Sequence, residues 1–122
     1  MIVYGDYECP FCAKLHVELL AERVTLVFRH FPVPSKHPRS NLLACAAEAA
    51  GLQGRFWEFH DSLYEDQGRL DQPHLWARCE RLEIDLDRFE SDRRSEAVAE
   101  RVQRDFRSGI RAGVAATPAI FR

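Results

Sequence analysis

The sequence predicts an α/β fold: a strand–helix–strand unit, then a block of helices, then a long helix leading into another strand. Three observations carry this. Two runs rich in β-branched and aromatic residues, Ile2-Val3-Tyr4 and residues 25–31, flank a stretch with helical apolar spacing. About eighty residues of helix-capping and helix-period pattern follow. Thr117-Pro118 then precedes the short apolar run Ala119-Ile120-Phe121.

The first run ends at Gly5-Asp6, a turn signal that delivers the chain to Cys9. From Pro10 to about Glu22 the residues Phe11, Leu15, Leu19 and Leu20 recur at helical spacing. Pro10 is tolerated because a first-turn residue has no intrahelical N–H partner to lose. The second strand stops at Pro32-Val33-Pro34, and two strands joined by one helix imply parallel pairing. His37-Pro38 then reads as the start of a helix that Gly51 ends. A short helix covers residues 56–64, between Gly54 and Gly68. Asp71 caps a third, with Leu75, Trp76, Cys79 and Leu82 on one face, and Asp85 caps a fourth. The last helix spans about 95–112, with the stripe Val98, Val102, Phe106, Ile110, and Gly113 closes it.

With 122 residues and 46% apolar content, the chain supports one domain with a core of its own. A net charge of −2, from 17 basic and 19 acidic residues interspersed along the chain, leaves no footprint for nucleic acid or anionic lipid. No apolar run approaches the ~20 residues of a membrane span, and the first residues lack the pattern of a signal peptide. As written, the chain is expected to be cytoplasmic and not inserted in a membrane. If a full-length protein is exported, the domain is expected to be extracytoplasmic.

Cys9-Pro10-Phe11-Cys12 is the pattern that bears chemistry. Two cysteines two residues apart at a helix start can close a disulfide within one turn. The first sits where unpaired backbone N–H groups and the helix dipole favour a thiolate. In such motifs the thiol pKa falls from ~8.5 to roughly 3.5–7.5. Cys9 is therefore expected to be lowered and nucleophilic. Cys12, one turn deeper, is the thiol placed to resolve a mixed disulfide at Cys9. Pro10 fixes the turn. Phe11 adds apolar surface but no positive charge, so the lowering is expected to be less than the motif can reach. The other reading of the pair is half of a zinc site. That requires two more ligands, and Cys45, Cys79 and the histidines show no paired ligand spacing. No metal or cofactor is expected.

Taken in order, Gly5-Asp6-Tyr7-Glu8-Cys9-Pro10-Phe11-Cys12, Val27-Phe28-Arg29-His30-Phe31-Pro32, Ala46-Ala47-Glu48-Ala49-Ala50-Gly51, Phe56-Trp57-Glu58 and Gly113-Val114-Ala115-Ala116-Thr117-Pro118 resemble the DsbA-like disulfide oxidoreductases of the thioredoxin superfamily. The resemblance covers nearly the whole chain. It implies a thioredoxin-like fold with an inserted helical domain: residues 1–34 as the strand-helix-strand half, 35–94 as the insertion, and 95–122 as the final helix, cis-proline loop and start of the next strand. It further implies Cys9 as nucleophile, Cys12 as resolving cysteine, and Pro10, Phe11, Thr117 and Pro118 as the surface that meets substrate. The implied activity is exchange of a Cys9–Cys12 disulfide with thiol- or disulfide-containing proteins.

Two departures stand out. Family members often carry a buried carboxylate beneath the cysteine pair, where this chain has Val3; Asp6 and Glu8 are loop acids expected to be solvated, the other reading being that one of them serves proton transfer through water. The family fold also continues with another strand and a closing helix. The sequence is thus expected to be truncated after the cis-proline strand, with an open sheet edge through which a homodimer or aggregate forms. The rival reading is a non-catalytic redox-sensing or regulatory module, such as a domain attached to a sodium/proton antiporter. Turnover separates the two. Cys79 and Cys45 are expected in the core or at its edge, and His60 as a surface or satisfied core histidine; His16, one helical turn after Cys12, is expected to have no catalytic role, the other reading being a sensor of the pair's redox state.

Overall fold

β1 (Ile2–Gly5) is the middle strand of a three-stranded sheet ordered β2-β1-β3. The computed structural model describes residues 1–122. β2 (Val27–His30) pairs in parallel with β1, Val3 opposite Phe28, after the crossover helix α1 (Pro10–Glu22). β3 (Ala119–Phe121) runs antiparallel on the other side, Val3 opposite Ile120. Successive side chains of a strand point to opposite faces. Val3 accordingly faces α1 and lines one small cavity with Cys12 and Leu15, whereas Tyr4 packs with Phe31 and Val114 and bonds Ser108 Oγ at 2.8 Å.

Five helices lie between β2 and β3: α2 (Ser40–Gly51), α3 (Phe56–Glu65), α4 (Gln72–Arg81), α5 (Leu86–Arg93) and α6 (Glu96–Ala112). The sequence signals for their starts are realised as hydrogen bonds. Asp71, Asp85 and Ser95 side chains accept from the amides of His74, Arg88 and Val98. Gly113, at φ 87°, closes α6 in the left-handed region. α2 threads the helical block with a nearly unbroken run of buried small residues, Ala44 to Ala50, against which α3, α5 and α6 pack.

Several positions differ from the sequence reading. α2 begins at Ser40, not at His37, because His37 is held in a turn by Val33 O and by the Asp6 carboxylate. On α1 the buried face is Cys12, His16 and Leu19; Phe11 is 70% exposed and Leu20 lies outside. The α6 stripe at intervals of four drifts round a helix of 3.6 residues per turn, so Val98 and Val102 are buried while Ile110 emerges. Trp76 is also exposed, its indole donating to Glu90 at 2.5 Å.

Candidate active site

Cys9 is the N-cap of α1, with extended backbone at φ −77° and ψ 118°, and Pro10 occupies the first turn. Its sulfur accepts from the Cys12 amide at 3.4 Å. Helix-terminal donation is thus aimed at the Cys9 sulfur. On its other side Cys9 Sγ donates to the Thr117 carbonyl at 3.8 Å, and the Thr117-Pro118 bond is cis. The N-terminus of α1 and the α6–β3 loop therefore face each other. Cys9 is only 3% exposed, yet it lines a groove of about 400 Å³ together with Pro10, Phe11, Lys36, His37 and Thr117. Phe11 projects beside the groove into solvent, and Lys36 brings positive charge to the wall. Nothing in the sequence marks Lys36 or His37, which reach the groove only because the turn after β2 folds under the β1–α1 loop.

The loop that carries Cys9 is pinned from below. Asp6 is 2% exposed, not solvated. Its carboxylate accepts from the amides of Glu8 and Val33 and meets His37 Nδ1 at 3.0 Å. Glu8 is also engaged, with Arg39. Gln67, from the turn after α3, donates to the carbonyls of Tyr7 and Cys9 at 2.8 and 3.0 Å. Asx-type and helix-terminal bonding of this kind fixes where the sulfur sits.

Cys12 is buried behind Cys9, and both are free thiols. Burial pushes the Cys12 thiol up to about 12, against the opposing pull of the Asp6 amide and the Thr117 hydroxyl. The two cysteines are thus electrostatically unlike: one faces a groove with a helix amide on its sulfur, and the other is held as a thiol. Cys79 and Cys45 lie in the helical block, away from the groove. Burial raises both, Cys79 to about 11.

His16 and His60 are both buried, and with Tyr7, Phe28 and Tyr64 they form an aromatic group beneath α1. Sequence periodicity missed this, because the apolar neighbours of His16 suggested a different buried face.

The sequence model of thioredoxin matches residues 1–121. The chain belongs to the thioredoxin family. Its fold is that of the DsbA proteins. A thioredoxin-like oxidoreductase from Silicibacter pomeroyi superimposes with a TM-score of 0.80 at 25% identity, over 96% of this chain and 69% of that one. The DsbA of Xylella fastidiosa gives 0.74 at 22%, over 96% and 70%. By sequence the chain is 40% identical to a Na(+)/H(+) antiporter NhaA 1 from Salinispora arenicola and 35% identical to a Na(+)/H(+) antiporter NhaA from Herminiimonas arsenicoxydans. Both likenesses cover 99% of this chain, which spans only 19% and 20% of those proteins. The thioredoxin-like α/β fold that the sequence implies is therefore shown, as a mixed three-stranded sheet with six helices.

Proposed function

We propose that this thioredoxin-family domain is a protein thiol-disulfide oxidoreductase working through a Cys9 mixed disulfide. The observation that carries it is the Cys9 sulfur, bonded by the Cys12 amide and facing Thr117 across the groove. In the oxidising direction a substrate thiolate attacks the Cys9 sulfur of the Cys9–Cys12 disulfide. The S–S bond breaks, and Cys12 leaves with the electron pair and takes up a proton, the state that its burial favours. A second substrate thiolate then attacks its own sulfur in the mixed disulfide and releases Cys9 as thiolate. In the reducing direction the Cys9 thiolate attacks a substrate disulfide, and Cys12, after losing its proton, resolves the product. The direction follows the potential of the partner couple. The test is glutathione equilibration and insulin reduction with single-cysteine variants. Cys12→Ser should trap a substrate on Cys9, and Cys9→Ser should abolish turnover; a Cys12→Ser protein that traps nothing refutes the assignment.

A second reading is supported by the antiporter relatives, of which this chain matches about a fifth: a thioredoxin-type module attached to a Na(+)/H(+) antiporter, whose thiol state alters contacts with the transport domain. Such a module would show redox-dependent binding to the transport domain without catalysing insulin reduction or oxidative refolding.

A further inference from the structure

Further along α1 from the Cys9 groove, toward the C-terminal half of the helix, polar groups of α1 and α3 converge around a second cavity. His16 is 6% exposed, and its Nε2 makes no hydrogen bond although Asp61 Oδ1 lies 3.3 Å away. An orphaned buried ring nitrogen forgoes the hydrogen bond it would make in water, so its presence calls for a partner. His60 is buried beside it, the ring centroids 5.3 Å apart, and the Tyr7 hydroxyl takes its Nδ1 at 2.8 Å. That leaves Nε2 of His60 as the free nitrogen. One donor atom each from His16, His60 and Asp61 lies within 4.8 Å of the others.

Zinc holds nitrogen and oxygen ligands at ~2.0–2.2 Å in a tetrahedron, which sets neighbouring donors ~3.3–3.5 Å apart. The 3.3 Å between His16 Nε2 and Asp61 Oδ1 matches that edge. We propose that His16, His60 and Asp61 form a binding site for one divalent transition-metal ion of the zinc type. Two imidazoles and one carboxylate select late first-row metals over magnesium or calcium, which demand oxygen. Tyr7 plays the outer part: accepting the Nδ1 proton of His60, it fixes the tautomer that presents Nε2 to the ion. Asp61 is half-exposed, and the three residues line a cavity of about 370 Å³ with Leu19, Leu20 and Trp57. An ion therefore has an entry path, and a fourth coordination position stays open on the cavity side.

The other histidine–carboxylate cluster does not offer this. Around His30, Glu48 is bonded to the ring at 2.8 Å, and Asp105 is taken by the His30 amide and by Arg101. A metal there would have to displace a guanidinium. At His16 no cationic side chain holds the carboxylate.

The test uses the whole chain, with Zn²⁺ titrated by calorimetry and Co²⁺ read by its visible absorption. It is run on the unaltered protein and on a Cys9→Ser/Cys12→Ser variant, so that thiol ligation is separated from imidazole ligation. Both should bind a single ion with the same affinity, with no thiolate-to-cobalt charge-transfer band. Asp61→Asn and His16→Gln each remove a ligand and should weaken binding by at least the ~10–100-fold that loss of an outer partner costs. Asp61 is half-exposed, so its variant keeps the fold and the test stands even if His16→Gln unfolds. Loss of binding in the double-serine protein, unchanged binding in Asp61→Asn, or equal binding of Mg²⁺ would each overturn the proposal. Disulfide exchange is not read in this experiment, so its failure and that of the oxidoreductase reading are distinct.

Discussion

The amide of Cys12 donates to the sulfur of Cys9 across 3.4 Å, while the Cys12 thiol itself is buried and pushed up to about 12. One turn of helix thus places its two cysteines differently: Cys9 caps the helix and lines the groove, and Cys12 lies behind it as a buried thiol. At pH 8 iodoacetamide should label Cys9 about tenfold or more faster than Cys12, since burial holds Cys12 as the unreactive thiol at that pH. Labelling of Cys12 should rise about tenfold per pH unit and level off only near 12. Mass spectrometry of timed, quenched samples reads both rates. Equal labelling of the two would contradict the arrangement.

Arg78 is buried, and its guanidinium donates to Ser62 Oγ and to the carbonyls of Ser62, Asp66, Arg69 and His74. It ties the turn between α3 and α4, the turn from which Gln67 reaches the Cys9 loop. Arg78→Met leaves those carbonyls unpaired in the interior and should cost about 2–4 kcal/mol, measured by urea unfolding. Arg78→Lys should recover only part of it, because a single ammonium cannot span the fork.

Gly109 on α6 lies where a Cβ would stand 2.6 Å from Phe31 Cδ1 and 3.0 Å from Tyr4 Cε1. Alanine is the better helix former by about 1 kcal/mol, yet the two rings are packed and Phe31 stacks on Phe106 at 4.5 Å. Gly109→Ala should therefore destabilise by about 1–3 kcal/mol, seen as a lower urea midpoint at unchanged slope. A more stable variant would mean that Phe31 moves aside freely.

Burial works to raise the Glu90 carboxyl, but hydrogen bonds from Arg93, Arg94 and Trp76 overcome it and bring it down to about 2. A depressed carboxylate contributes stability that is fully present above its unfolded value of 4.5 and fades as pH falls toward 2. A quarter of the side chain meets water, so the contribution is about 1–2 kcal/mol. Glu90→Gln should remove that share of the acid sensitivity when unfolding is followed from pH 6 to pH 2.

β3 is an edge strand, with Ile120 and Phe121 39% and 37% exposed. Free edges of this kind template pairing with another chain. This chain is expected to self-associate with rising concentration, seen as growing mass in light scattering, and Phe121→Lys should return it to monomer. A monomer mass across the whole range would count against edge pairing.

What the sequence by itself determined is local. Caps at Asp71, Asp85 and Ser95, the closing Gly113, the β-branched runs and the cysteine pair after a turn are legible because each depends on neighbours within a few residues. Tertiary structure decided which faces were buried and what met at the groove. Thr117 lies 108 residues from Cys9, and only the antiparallel pairing of β3 with β1 brings them together. Asp6 looked like a solvated loop acid until the turn after β2 supplied it with Val33 and His37. Phe11 and Ile110 were drawn into apolar stripes by spacing alone, yet the packing of α1 on α3 and of α6 on the sheet put Cys12, His16 and Asp105 inside instead. Helical periodicity records that a helix has an apolar side. Which residues fill that side is set by the neighbour it packs on, and here that neighbour also joins His16 to His60 and Asp61 across 44 and 45 residues.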